Sequence, residues 1–244
     1  MNYTTDNGLQ TETEIQQWVQ QISNKLDTDG YTVVRQPLSE TDFNRISAGL
    51  GAIMSRSHLV VDPEKDAAQE AKRIMVGKEK TRPSIYRSAG LDFHNDNPCD
   101  NLISWYCIEQ DDTSGSLLLI DSHELLEGFS SEELKLLETV RVRYIVHHDG
   151  VEQHPTEALL AWKGSEPEVY FAGWHLEGEY TDAQRKVIDK FKANLEARKK
   201  AGPIKNRLEP GQSIYVNNRR MLHGRGPIEA NSRRHIIRLT MQSS

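Results

Sequence analysis

The sequence predicts a mainly β member of the α+β class, a double-stranded β-helix (jelly roll) with flanking helices. Three observations carry that expectation. Apolar residues recur at helical spacing through the first third of the chain. After Pro83 the pattern changes to about eight short runs rich in Val, Ile, Leu and Tyr, separated by turn residues. No internal repeat or linker-like stretch interrupts the 244 residues. Residues 1–244 therefore read as a single domain, its helical N-terminal third packed on the jelly roll.

Residues 1–11 read as frayed. Over 12–26, Ile15, Trp18, Val19, Ile22 and Leu26 share one face, which predicts an amphipathic helix ended by Asp29-Gly30. Residues 31–35 form a short β-branched run, a strand. Residues 39–54 read as a second helix, with Ser39 and Asp42 as its capping pair and Phe43, Ile46, Leu50 and Ile53 inward. A third helix is expected over 62–76.

The strand candidates are Ile85-Tyr86, 102–108, 116–121, 140–147, 158–162, 169–172, 213–216 and 235–241. Two helices interrupt them. One opens on the capping box Ser130-Ser131-Glu132-Glu133 and runs to Val140. The other runs from Thr181 to Lys200 with Val187, Ile188, Phe191 and Leu195 inward, and Gly202-Pro203 stops it. Its basic end, Arg198-Lys199-Lys200, complements the helix dipole and reads as a solvated terminus.

Bulk composition narrows the class. A hydrophobic share of 36% and a charged share of 27% suit a folded chain and not a disordered one. A formal net charge of -6 argues against a nucleic-acid partner, because phosphate backbones call for a basic face. The only cysteines, Cys99 and Cys107, imply no disulfide framework. Residues 1–10 are polar, and no apolar run approaches a membrane helix in length. The expectation is a cytoplasmic protein with no membrane partner.

The chemistry concentrates in two places. His94-Asn95-Asp96 puts an imidazole and a carboxylate two apart, which on a strand or its end directs both to one side. A strand running through Ser213 to Val216 leads into a polar turn, 217–225, that presents His223. Two imidazoles and one carboxylate are the ligand set of the facial triad that holds non-haem iron(II) with open positions. Arg234 and Arg238 then fall four apart on a closing strand, on one face. Two arginines on one inward face are costly unless anions meet them.

These segments resemble the iron(II)- and 2-oxoglutarate-dependent oxygenases, in the branch of taurine dioxygenase and clavaminate synthase. The resemblance runs from Phe93 to Met241. It rests on His94-Asn95-Asp96, the strand 115–119, the stretch Asn218-Arg219-Arg220-Met221-Leu222-His223-Gly224-Arg225, and an arginine eleven residues after His223. It implies that His94, Asp96 and His223 ligate iron(II), with O2 and 2-oxoglutarate as cosubstrates. It further implies that Arg234 binds the distal carboxylate of 2-oxoglutarate as a bidentate pair. Ser116 stands where the family usually has a threonine that bonds the same carboxylate. Arg238 matches a position that binds an acidic substrate group in some relatives. Asp96 fills the position that related halogenases leave to a small residue, so hydroxylation or desaturation is implied over halogenation.

The expected activity is hydroxylation of an unactivated C–H bond in a small carboxylate-bearing substrate, a free amino acid or derivative. A desaturase on the same scaffold and a non-catalytic jelly-roll binding protein are the alternatives. A zinc hydrolase would need a nearby general-base glutamate, and no His-Glu-x-x-His helix is present. Asn97 and Trp105 are candidate substrate-pocket residues by nearness to the triad. Trp174-His175 suits a pocket mouth or a surface turn. Arg225 reads as bonding its own turn and His235 as structural. His147, His148 and His154 read as polar strand-end residues, and Cys99 as a structural thiol.

Overall fold

The computed structural model describes residues 10–60, 90–148, 151–176, 178–229 and 232–242. The helix expected over 62–76 and the strand at Ile85-Tyr86 lie outside the described residues.

Helix α1 (Glu12–Asp29) starts at a capping box in which Thr11 and Glu14 satisfy each other's backbone N–H groups, and it ends at Gly30 in the left-handed conformation, φ 76°. A side chain at Gly30 would also strike the Met221 sulfur, 2.7 Å from an added Cβ. Strand β1 (Tyr31–Val34) leads to α2 (Glu40–Leu50), capped by Ser39 as expected. The second helix is shorter than the sequence suggests. It stops at Gly51, and Ala52–Val60 forms strand β2. Ile53, expected inward on the helix, is on that strand and 42% exposed. Pairing of β2 with the C-terminal strand overrides the helical spacing there.

The chain continues through β3 (Leu91–His94), β4 (Leu102–Glu109), β5 (Leu117–Asp121), the short α3 (Ser122–Leu125) and α4 (Ser131–Thr139). The expected strand over 140–147 is split into β6 (Arg141–Arg143) and β7 (Val146–His148). After β8 (Val151–Gln153), the strands expected over 158–162 and 169–172 are replaced by β9 (Thr156–Ala158), β10 (Leu160–Lys163) and β11 (Glu166–Val169). Helix α5 (Asp182–Ala201) carries the capping box Thr181–Gln184. Then come β12 (Ile204–Asn206), β13 (Ser213–Asn217), β14 (Met221–Arg225) and β15 (His235–Gln242).

Two antiparallel sheets dominate, with strand orders β1-β13-β4-β15-β2 and β12-β5-β14-β3. They are not closed into a barrel. Side chains alternate across each strand, so each sheet has two destinations for its residues. Ile103, Trp105, Ile214 and Ile236 of the larger sheet meet Leu117, Leu119 and Met221 of the smaller one in a shared core. The opposite face of the larger sheet, with Tyr106, Tyr215, Ile237 and Leu239, packs on α1 and α2. The opposite face of the smaller sheet, with Phe93, Ile120 and Leu222, packs on α4 and α5 through Leu137, Val187, Ile188, Phe191 and Leu195. The mainly β, helix-flanked jelly roll expected from the sequence is the observed architecture.

Candidate metal centre

Strand β14 runs between β5 and β3, and its pairing with β3 sets His223 directly opposite His94. The alternation that sends Phe93 and Leu222 to the helical core sends His94 and His223 into the space between the sheets. Their rings lie 4.4 Å apart, centre to centre. Gly224 permits the approach, since an added Cβ would stand 2.8 Å from the Leu91 carbonyl oxygen. Asp96 follows β3 by two residues, and its N–H donates to Asn218 Oδ1 (2.9 Å). The carboxylate reaches both imidazoles, with Oδ1 3.6 Å from His94 Nε2 and Oδ2 3.5 Å from His223 Nε2. One donor atom from each residue lies within 4.8 Å of the others.

The protonation states suit a cation. His94 Nδ1 is 2.8 Å from the Asp92 carbonyl, which can only accept, so Nδ1 carries a hydrogen and Nε2 is the ring nitrogen that faces the cluster. Burial pushes His223 down to about 3, with His94 and Arg238 adding to the shift and Asp96 opposing it. Burial alone would raise the Asp96 carboxyl, but Arg238 above all, then His223 and His94, hold it well below the usual range. A neutral imidazole at His223 beside an ionised Asp96 carboxylate is the form a divalent ion requires. An ion at about 2.1 Å from each donor needs donors about 3 Å apart on one face. Small side-chain adjustments close the observed gaps, so the residues fit a metal.

A cavity of about 40 Å³ adjoins the cluster, lined by His94, Asp96, Trp105, His223, Arg234 and Arg238 among others. Arg234, immediately before β15, is buried, and its Nε has no hydrogen-bond partner among the described residues. Burial pushes its pKa down to about 10, partly offset by Cys107 and Asp111, so it remains a cation at neutral pH. A buried guanidinium with an unspent donor fits an incoming carboxylate. The side chain lies on bare backbone at Gly115, φ 71°, where an added Cβ would sit 2.8 Å from Arg234 Cδ. Asp111 ties this cradle together. It accepts from Ser114 Oγ (2.8 Å), Ser232 Oγ (2.7 Å) and Arg233 N–H (2.9 Å), joining the loop before β5 to the start of β15.

Arg238 lies opposite Trp105 in the β15–β4 ladder and donates directly to Asp96 Oδ2. Trp105 meets His223 edge-on, 5.2 Å between ring centres. Outward from Arg238 opens a cleft of about 310 Å³ whose walls include Asn97, Tyr144, Tyr170, Trp174 and His175. Trp174 stands 5.0 Å from the His94 ring, so Trp174-His175 lines the cleft and is not a plain surface turn.

His94, Asp96, His223, Trp105, Arg234 and Arg238 thus come together. Asn97 borders the outer cleft, but its side chain donates to the Ile145 carbonyl and accepts from Cys99 N–H. Ser116 precedes β5 by one residue, its carbonyl accepts from Gly226 N–H, and it is not among the residues lining either cavity. His223 and Arg225 are both in strand β14 and not on the turn the sequence suggests, because the turn closes earlier, over 218–220. Arg234 sits just outside its expected strand, yet faces the same cavity as Arg238. Of the basic helix end, Lys199 pairs with Asp92 (2.9 Å) and Glu196 (2.7 Å). His154 is exposed beside Glu152, Cys99 is exposed, and neither belongs to the metal cluster. Sequence reasoning missed Gly115, Asp111, Asn95 and Asn218. Gly115, Asn95 and Asn218 left a trace only as members of the matched stretches, with no role assigned, and Asp111 left none.

Solved structures share this fold. An asparagine oxygenase solved in complex with Fe(II), 2S,3S-3-hydroxyasparagine and succinate superposes with TM-score 0.68 at 17% identity, covering 93% of this chain and 79% of that one. The non-heme iron oxygenase OrfP, solved with Fe and alpha-ketoglutaric acid, gives TM-score 0.69 at 16% identity, covering 93% and 80%. A point mutant of OrfP in complex with (3S)-hydroxy-L-Arg gives 0.70 at 15%, covering 96% and 81%. At these identities the likeness is one of fold. No curated protein sequence matches the chain. No described helix is long and apolar enough to cross a membrane. The family described as taurine catabolism dioxygenase TauD, TfdA family matches residues 6–240, nearly the whole chain, and the chain belongs to that dioxygenase family.

Proposed function

We propose that this chain is an iron(II)- and 2-oxoglutarate-dependent oxygenase that hydroxylates a C–H bond in a small carboxylate-bearing substrate, a free amino acid or a close derivative. The observation that carries the reading is one cavity holding both a convergent His94–Asp96–His223 donor set and the buried, under-bonded Arg234. Bound iron(II) with O2 supplies the oxidising power, coupling loss of CO2 from 2-oxoglutarate, which leaves succinate, to C–H oxidation. The chain's own residues bind and orient. His94, Asp96 and His223 would hold the ion. Arg234 takes the distal carboxylate of 2-oxoglutarate. Arg238, between the metal cluster and the outer cleft, takes the substrate's anionic group. Trp105 beside His223 and Trp174 beside His94 would shield a bound ion from water with apolar surface.

Two relatives of the same fold were solved with hydroxylated amino acids, asparagine in one and arginine in the other, which supports an amino-acid substrate. We take residues 1–244 as a single oxygenase domain. We also take the cytoplasm as its setting, because both cysteines are free thiols. The test is anaerobic titration with iron(II) and 2-oxoglutarate, followed by a screen of amino acids for succinate formation coupled to substrate loss. A visible charge-transfer band that His94→Ala abolishes is expected. A chain that binds neither iron(II) nor 2-oxoglutarate overturns the proposal, and a chlorinated main product in chloride overturns hydroxylation.

A further inference from the structure

The metal-ligand loop has an unusual support. Asp96 lies beyond the end of β3, so no strand ladder holds it in place. Its neighbourhood is instead bound to the β13–β14 turn by one fully buried side chain, Asn218. Asn218 Oδ1 accepts the Asp96 N–H (2.9 Å), while Nδ2 donates to the carbonyls of Asp100 (2.7 Å) and Asn97 (3.3 Å). The Asn218 backbone N–H donates to the Asn101 carbonyl (2.9 Å). Asn95 binds in the reverse direction, its Nδ2 donating to the Asn218 and Met221 carbonyls. It also exchanges bonds with Phe171, donating its N–H to the Phe171 carbonyl (2.8 Å) and accepting the Phe171 N–H on Oδ1 (2.9 Å). Met221 opens the strand that carries His223.

We infer that Asn218 is a positioning residue that, with Asn95 as its reciprocal, fixes the Asp96 loop against the His223 strand before any ion arrives. The inference rests on the metal reading above. The chemistry admits few substitutes. Three fixed backbone groups around Asn218 require one acceptor and two donors, and a carboxamide offers both at one position. The partners also fix which end is oxygen, because an N–H can only donate and a carbonyl can only accept. Aspartate keeps the acceptor but replaces the doubly donating nitrogen with one oxygen facing two carbonyls. Alanine leaves three buried backbone groups without partners. An ion meeting a loop already ordered loses no affinity to ordering it.

The test is Co(II) affinity of the metal-free protein, read by competition with a chelating dye, in Asn218→Ala and Asn218→Asp. Ile22→Ala, in the separate core between α1 and the larger sheet, controls for lost stability. We expect 10–100-fold weaker Co(II) binding in both Asn218 variants, the range typical of residues that orient ligands, and little change in the control. Asn218 variants that bind Co(II) no worse than the control overturn the inference. A wild-type chain that binds no Co(II) overturns the metal reading and this inference with it. Amide hydrogen exchange on the wild type needs no variant. The amides of Asn95, Asp96 and Asp100 should be protected without metal and change little on adding Co(II); amides protected only by the ion overturn the inference.

Discussion

Gly115 and Arg234 touch where no side chain could intervene, an added Cβ at Gly115 falling 2.8 Å from Arg234 Cδ and 3.0 Å from Nε. Gly115→Ala therefore displaces the guanidinium and also strains a backbone at φ 71°, at a cost of about 1 kcal/mol. The expected outcome is a KM for 2-oxoglutarate raised about tenfold or more, the equivalent of about 1.4 kcal/mol, with Co(II) affinity unchanged. Titration of both ligands separates the two effects. Equal weakening of both would mean that the cavity collapses as a unit.

Arg238 offsets the burial of Asp96. Removing it in Arg238→Gln leaves burial, the largest influence on that carboxyl, less opposed, so the Asp96 pKa rises. Protons then compete with the ion for Asp96 at a higher pH than in the parent. The acid limb of a Co(II)-loading curve should shift to higher pH in the variant, and the substrate KM should rise with it. An unshifted limb would mean that Asp96 does not feel Arg238 once metal is bound.

His223 links stability to pH in the metal-free protein. Its folded pKa, about 3, lies below the 6.5 of a free imidazole. Between those values the unfolded chain binds the extra proton, so stability falls as pH drops from about 6.5 toward 3. One such group changes stability by at most about 1.4 kcal/mol per pH unit. Urea midpoints at pH 7.5 and 5.0 measure it, and His223→Gln should flatten the difference.

The two thiols should differ sharply. Cys107 is fully buried and pushed up to about 12, first by burial, whereas Cys99 is exposed. A colorimetric thiol reagent at pH 8 should titrate Cys99 alone in the native protein, and Cys99→Ser should leave no reactive thiol until denaturant is added. Rapid labelling of Cys107 in the native state would contradict the packing between the two sheets.

Much of the site was legible because its chemistry is written locally. His94 and Asp96 stand two apart, and Arg234 and Arg238 four apart, so strand alternation predicts each pair on one side, although Asp96 falls just beyond β3 and Arg234 just before β15. The long helices were legible through Thr181 and Ser130, whose caps are sequence signals. Strand β2 was not, because Ile53 extends the apolar spacing of α2 past Gly51 and only pairing with β15 decides against the helix. Asn95 and Asn218 were not either. Each reads as a polar turn residue, and nothing in the order of residues says that the two turns meet.

The knot at Asp111 has a consequence for how this protein will look under mutagenesis. Asp111 lines neither cavity, yet both halves of the Arg234 cradle are tied to its two oxygens. An alanine scan scored by turnover alone would rank Asp111 beside the metal ligands and invite its assignment as a proton carrier. Rescue by high 2-oxoglutarate would unmask it as a fastener, since a lost fastener weakens the grip on the cosubstrate and leaves the chemical step intact.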